Sequence, residues 1–131
     1  MRYKKFPLIK VVNYIISLPF IYGMIIPFIL FDICLGIYHQ VCFRLYGIEL
    51  IKRSQYIKID RHKLKYLNPI ERVNCAYCGY ANGLMQYSSQ VVAKSEEFWC
   101  SIKHAKDPNF KPPAHHDKFL DYGDEDAYKN F

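Results

Sequence analysis

The sequence predicts a mainly α-helical protein, in which a proline-kinked N-terminal membrane helix precedes a small helical domain held together by cysteine and histidine side chains. Two observations lead to this prediction. Residues 11–43 carry a single formal charge, Asp32, whereas the rest of the 131-residue chain is polar, basic and rich in tyrosine. A remainder of about ninety residues buries only a modest core, and domains of that size are often reinforced by a metal or by disulfides.

The segment 11–31 is long enough to cross a membrane, because about 20 apolar residues in a helix span the hydrocarbon core of a bilayer. A buried core helix is disfavoured, since the polar remainder is too small to surround a helix that is apolar on all sides. A cleaved signal peptide is also disfavoured, because the apolar region is too long and no small-residue cleavage site follows it. We therefore expect an uncleaved anchor.

Pro19 and Pro27 each remove a backbone donor and predict kinks in this anchor. A span that ends at residue 31 places Asp32 at the interface, where its charge costs little. Basic residues flank the segment in equal number: Arg2, Lys4, Lys5 and Lys10 before it, and Arg44, Lys52, Arg53 and Lys58 after it. Two topologies stay open under the positive-inside rule. The chain spans with its large domain inside, or the segment dips in and returns, leaving both flanks inside.

The chain divides into four predicted regions: a basic flank 1–10, a membrane anchor and interfacial helix 11–43, a juxtamembrane domain 44–105, and a proline-rich, acidic and aromatic tail 106–131. The interfacial helix is expected to carry Cys34, His39 and Cys42. The tail is expected to be extended.

Inside the juxtamembrane domain, Asn68 and Pro69 predict a helix start, with asparagine as N-cap and proline as first helical residue. We expect this helix to end near Val73 and a second helix to cover 84–104, because glycine and asparagine residues interrupt the sequence between them. A short strand is expected over 56–60.

The pattern most specific for chemistry is Cys75-x2-Cys78, a 21-residue spacer, and Cys100-x3-His104. Two cysteines separated by two residues can bind one metal from a tight turn, and Gly79 supplies the freedom that such a turn needs. A cysteine and a histidine four residues apart lie on one helix face. Three sulfurs and one imidazole form a closed tetrahedral set that suits structural zinc and leaves no open position for catalysis.

Two other chemistries stay open at the same cysteines. Cys75 and Cys78 could form a redox-active dithiol, although the strand–helix–strand pattern of thioredoxin-like folds is missing. Iron is a third possibility, because Cys-Ala-Tyr-Cys-Gly-Tyr is similar to the first knuckle of rubredoxins, whose second knuckle is replaced here by Cys-x3-His. Elsewhere, His115-His116-Asp117 offers a second metal site, but a solvated loop is the simpler interpretation.

The run from Tyr66 to Gly83 (YLNPIERVNCAYCGYANG) and the run from Phe98 to Ala105 (FWCSIKHA) together resemble a family of small bacterial membrane-associated proteins of unassigned function. The resemblance covers about residues 27–105 and implies the same layout of an anchor followed by a cysteine-bearing domain. It brings no known reaction with it.

These observations predict a membrane-anchored, zinc-stabilised accessory protein rather than an enzyme, with a membrane-tethered thiol-redox or iron electron-transfer protein as the alternative. The expected partners are the lipid bilayer, which attracts the basic residues beside the anchor, and a membrane or cytoplasmic protein. No nucleic acid is expected, because no recognised binding motif accompanies the basic residues. Five cysteines without a disulfide framework favour a domain on the cytoplasmic side of the inner membrane.

Overall fold

The computed structural model describes the backbone of residues 8–131 and the side chains of residues 11–131. It is 67% helical, which confirms the predicted fold class. Within residues 8–131, four α-helices follow one another: α1 (Leu8–Gly23), α2 (Ile25–Leu45), α3 (Pro69–Trp99) and α4 (Glu125–Lys129). Arg2, Lys4 and Lys5 of the predicted basic flank lie outside the described residues.

Three short 3-10 turns, Arg53–Gln55, Arg61–Lys63 and Ala114–Lys118, lie in the connections. Within residues 8–131 the only β-type pairing is an isolated parallel bridge between Ile102 and Leu120. The strand predicted over 56–60 is therefore wrong: Tyr56 ends a 3-10 turn with a helical backbone, and residues 57–60 pair with no strand.

The predicted kink lies at Met24, between α1 and α2. Proline clashes with the carbonyl of the residue four positions before it, and Gly23, where α1 ends, stands in that position relative to Pro27. Pro19 lies inside α1 without ending it. Counted across the break, Val11–Leu45 is long and apolar enough to cross a membrane, a property that it shares with signal sequences.

The two helices predicted in the juxtamembrane domain are one helix, α3, and this corrects the prediction of a break at residues 79–83. The predicted start is confirmed. The Asn68 side chain accepts a hydrogen bond from the Glu71 backbone amide, the Glu71 carboxylate accepts one from the Asn68 amide, and Pro69 follows the cap. The end differs from the prediction, because α3 stops at Trp99.

Helix α3 lies parallel to α1 and α2 along nearly their whole length. In the contacts between them, residue numbers increase together along both partners, as expected for parallel helices. These contacts are Asn74 with Tyr14 and Tyr22, Tyr80 with Asp32, Tyr87 with His39, and Phe98 with Tyr46. The buried core lies between α2 and α3 and comprises Leu35, Phe43, Leu84, Tyr87 and Val91. The predicted juxtamembrane domain therefore lies beside the predicted anchor, not beyond its end.

Because the helices are parallel, the connection between them, residues 46–68, must run back along their length. We call it the return segment. It passes close to α3 at two glycines: a Cβ at Gly83 would lie 2.8 Å from both Ile57 Cα and the Tyr56 carbonyl oxygen, and one at Gly79 would lie 3.0 Å from the Lys58 carbonyl oxygen. These glycines do not end the helix. They allow another backbone to approach it.

Replacing Gly83 by alanine is expected to lower the free energy of unfolding by about 1–3 kcal/mol, the usual cost of overpacking, because backbone atoms of the return segment cannot yield easily. Gly36→Ala in α2 is the matched control, since a Cβ there would meet nothing within 4 Å. Helix propensity alone then makes the control about 0.5–1 kcal/mol more stable. Denaturant unfolding in detergent micelles, followed by circular dichroism, measures both; equal effects would contradict the close approach.

Candidate metal centre

The four predicted zinc ligands are not brought together in the structure. Cys75 and Cys78 lie within α3, and Cys100 caps its C-terminal end. An α-helix rises about 1.5 Å per residue, so the 22 residues from Cys78 to Cys100 separate them by about 33 Å. The predicted set needed a reversal of the chain between the two cysteine pairs, and the unbroken helix removes that reversal. His104 lies near the C-terminal end of α3, with an exposed side chain.

All five cysteines are free. Cys75 and Cys78 are three residues apart on a helix and therefore face the same general direction. They lie beyond the first turn of α3, where the helix dipole has little remaining effect on a thiolate. The thiol-redox alternative stays a prediction, and the structure does not give these cysteines the helix N-terminal position that lowers the pKa of a redox-active thiol.

His39, on the predicted interfacial helix, has a structural role. Its ring is buried, with 1% of its surface exposed. Nε2 accepts a hydrogen bond from the Ile51 backbone amide at 3.1 Å, so the neutral ring carries its proton on Nδ1, which lies 3.0 Å from the Tyr87 hydroxyl. Both ring nitrogens are satisfied, and His39 joins α2, the return segment and α3.

A different group of metal-binding side chains meets at the C-terminal end of α3. We call Glu96, His115 and His116 the His–Glu cluster; one ligand atom from each lies within 4.8 Å of the others. Nε2 of His115 is 2.6 Å from one Glu96 oxygen, and Nε2 of His116 is 3.1 Å from both. The carboxylate therefore lies between two imidazoles that approach it through the same type of nitrogen.

Two local structures position the cluster. Glu96 lies in the last turn of α3, while the histidines occupy the 3-10 turn Ala114–Lys118. The bridge at Ile102 and Leu120 holds the intervening loop closed: the Lys103 amide donates to the Leu120 carbonyl at 2.8 Å, and the Leu120 amide donates to the Ser101 carbonyl at 2.9 Å. The tail that was predicted to be extended is thus folded back onto α3.

The buried ring of His116 packs against an aromatic side chain and borders a cavity. Its ring stacks on Phe119 at 4.8 Å between centroids, and only 4% of the residue is exposed. Within the described residues, its Nδ1 is buried without a hydrogen-bond partner. The His104 ring lies 5.7 Å away between centroids, and both histidines line a cavity of about 390 Å³.

Electrostatics keep the carboxylate of the cluster ionised. The hydrogen bond from His115, supported by that from His116, holds the pKa of the Glu96 carboxyl below its ordinary value. An ionised carboxylate and two imidazoles are ligands that zinc and other divalent transition metals bind in proteins.

His115 and His116 were predicted, with Asp117, as a candidate second metal site whose simpler interpretation was a solvated loop, and Glu96 was not predicted as a ligand. One signal was available. Pro112-Pro113 immediately precedes the histidines, and a proline with φ fixed near −65° favours the start of a helical turn. The pairing with Glu96 had no local signal, because it depends on the closure of residues 101–120.

Comparison of the chain with protein-family models, with curated proteins and with solved structures found no match. The resemblance to small bacterial membrane-associated proteins therefore stays a prediction.

Because Cys100 is exposed at the end of α3, Cys100→Ser is expected to change the free energy of unfolding by less than about 0.5 kcal/mol, as for most surface substitutions. Replacing a cysteine that ligated a structural metal would lower the free energy of unfolding far more, since binding of the ion and folding are coupled. Thermal unfolding of both proteins, with and without a chelator, distinguishes these cases, and a strong destabilisation that depends on the metal would restore the cysteine site.

Proposed function

We propose that this protein is a membrane-bound accessory protein that lies in one leaflet of the bilayer and presents its polar side to the adjacent aqueous phase. The observation that carries the proposal is the exposed apolar face of α1 and α2. The polar side chains of these helices face the rest of the protein, beside the core residues Leu35 and Phe43, and a broad face of large apolar side chains points outward.

The inward side of α1–α2 is unusually polar. Tyr14 and Tyr22 hydrogen-bond with Asn74, and His39 pairs with Tyr87. The outward side carries large apolar residues, most of them more than 40% exposed: Val11, Val12, Ile15, Ile16, Phe20, Ile26, Ile29, Leu30, Ile33, Ile37, Val41 and Leu45. Only 6% of the most apolar window of Val11–Leu45 is buried. A soluble helix would show the opposite arrangement, so lipid is the fitting solvent for this face.

The one formal charge of the apolar segment is also turned inward. Asp32 forms a two-point ion pair with Arg53 of the return segment, and one of the two hydrogen bonds measures 2.6 Å. The Tyr80 hydroxyl donates to the same carboxylate at 2.7 Å. These partners remove the need for water at Asp32, which allows the outer face of the helix to enter hydrocarbon.

Exposed residues of α3 separate into two stripes. Met85, Val92 and Trp99 repeat every seven residues and form an apolar stripe, whereas Gln86 and Gln90 belong to a polar one. The apolar stripe borders the side of α3 that contacts α1 and α2, as the pairs Tyr77–Ile21 and Ser95–Tyr38 show. The polar stripe shares a face with Gly79 and Gly83, against which the return segment lies. The bundle therefore has an apolar half and a polar half along its length.

This division favours an orientation in the membrane plane over one that crosses the bilayer. Nonhelical backbone is not tolerated where it faces lipid. The return segment is nonhelical for most of its length, it lies beside α2 and α3, and it carries Lys52, Lys58 and Asp60. A crossing bundle would place this segment at hydrocarbon depth. In the plane of the membrane it faces water instead, as amphipathic helices bound at an interface do.

The length and the flanking charges agree with this orientation. Val11–Leu45 measures 35 residues. At about 1.5 Å per residue it extends for about 52 Å, well beyond a hydrocarbon core of about 30 Å. Basic residues flank the segment equally, which suits a chain whose two ends stay on one side. Anionic headgroups attract such residues by about 1 kcal/mol each.

An accessory role fits the remaining surface. Tyr122, Tyr128 and Phe131 are exposed in the C-terminal segment, beside the acidic residues around α4. Aromatic residues in an acidic setting suit a protein partner with a basic docking surface. Five free thiols are consistent with the cytoplasmic side of a bacterial inner membrane.

Trp99, the only tryptophan of the chain, reports on the apolar half. Tyr46, Phe98 and Trp99 contact one another at the common end of α2 and α3, and the indole is 62% exposed. On binding to anionic vesicles its fluorescence is expected to shift to the blue and to be quenched by brominated lipid chains, with strongest quenching from bromines near the headgroup.

Double substitution of Ile26 and Leu30 by lysine should abolish binding, since each charge costs about 2.5–3.5 kcal/mol in hydrocarbon.

The matched control for that experiment is Gln86→Lys with Gln90→Lys, which adds the same charge to the polar stripe and is expected to leave vesicle binding intact. Loss of binding in both double variants, or in neither, would contradict the division into two halves.

Cysteine labelling tests the orientation. The background carries serine at Cys34, Cys42, Cys75 and Cys78; one variant keeps Cys100, and the other carries Cys100→Ser with Lys65→Cys. These positions lie near opposite ends of α3, so a membrane-impermeant maleimide should modify both from the same side of sealed membranes if the bundle lies in the plane. Modification of one of them only after the membrane is disrupted would show that the bundle crosses the bilayer.

A further inference from the structure

We propose that Glu96, His115 and His116 bind one divalent transition-metal ion, with zinc as the best fit. The proposal concerns a site that membrane binding does not require. It rests on the geometry of the three side chains, on the burial of His116, and on the folding of the C-terminal segment that brings them together.

The distances are close to those of a zinc site. Zinc binds histidine nitrogen and carboxylate oxygen at about 2.0–2.2 Å, so two ligand atoms of a tetrahedral site lie about 3.3–3.5 Å apart. The nitrogen–oxygen distances are 2.6 and 3.1 Å, and all three ligand atoms fall within 4.8 Å. An ion can therefore enter if the nitrogen–oxygen distances lengthen by about 0.3–0.7 Å.

The ligand type supports the same conclusion. Two imidazoles and one carboxylate form a set found in zinc sites that keep a fourth position for water or another ligand. Both Nε2 atoms hydrogen-bond to one carboxylate, so the three candidate ligands already point towards one another. A cation between the three groups would interact with each of them directly.

The burial of His116 orients one ligand in advance, because stacking on Phe119 holds its Nε2 towards Glu96. Its Nδ1 is buried and has no hydrogen-bond partner among the described residues. Leaving such an atom unsatisfied costs about 1–3 kcal/mol, a cost that is usually tolerated only where the residue has a functional role.

The backbone around the site is already arranged for binding. His115 and His116 belong to one 3-10 turn, Glu96 belongs to the last turn of a 31-residue helix, and the bridge between Ile102 and Leu120 fixes one relative to the other. Sites built on such elements lose little conformational entropy when the ion binds.

The test uses the full chain in detergent micelles, stripped of metal with a chelator and then titrated with Zn²⁺ in competition with a chromophoric indicator. One ion per chain is expected to bind. Glu96→Gln and His115→Gln should each weaken binding by about ten-fold or more, because each removes a ligand. Two controls, Glu97→Gln and His62→Gln, alter neighbouring or exposed residues of the same types and should leave the affinity unchanged.

A second measurement separates this site from the cysteines. A variant with serine at Cys75, Cys78 and Cys100 is expected to bind zinc as the unmodified chain does. Co²⁺ in place of zinc should give ligand-field absorption without a sulfur-to-cobalt charge-transfer band. Circular dichroism shows whether each variant keeps its helices, and Glu96→Gln preserves the shape of the side chain. The absence of saturable binding, or binding that survives Glu96→Gln and His115→Gln but is lost with the cysteines, would overturn the proposal.

Discussion

The structure depends on the polar contact between α1–α2 and α3. Burial of Leu35 and Phe43 holds α2 against α3, but the polar side chains on the same inner side must also find partners there. The position of α1–α2 is therefore also fixed by the ion pair of Asp32 with Arg53 and by the hydrogen bonds of His39 and Tyr14. Hydrogen bonds shielded from water are stronger than those exposed to it, and leaving one partner unpaired is costly. The same polar stripe that binds α3 therefore determines which side of the helix is available to lipid.

Parallel packing of α3 has a second consequence, because it requires the return segment. A parallel helix pair cannot be joined by a short turn, so the 23 residues from 46 to 68 run back along the bundle. Their unpaired backbone groups need water, while the opposite side of the bundle needs lipid. Gly79 and Gly83 allow this segment to lie directly against α3. The return segment therefore contributes as much as the helices to the division of the bundle into a polar half and an apolar half.

Local signals predicted the helical class, the kink at Pro27 and the start of α3 at Asn68, because each depends on a few adjacent residues, whereas Pro19 lies inside α1 without ending it. The glycines at 79 and 83 were misread as helix ends. Glycine weakens a helix by only about 1 kcal/mol, and packing against another backbone readily offsets that cost. The predicted zinc site failed to assemble for the same reason, since it required α3 to be interrupted. The pairing of Glu96 with His115 and His116 joins residues about 20 positions apart in the sequence. The spacing of apolar residues along the chain predicts local helices and strands, not contacts over that separation.

Continuity of α3 also connects the two proposals. Glu96 and Trp99 are three residues apart and therefore about one helical turn from each other. The His–Glu cluster lies on one side of this turn, and the aromatic contacts of Trp99 with Tyr46 and Phe98 lie close by. An ion at the cluster would hold the C-terminal segment onto the same turn that meets the membrane surface. Metal binding would then set the position of α4 and of the exposed aromatic residues near it relative to the bilayer, which is the surface that a partner protein would meet.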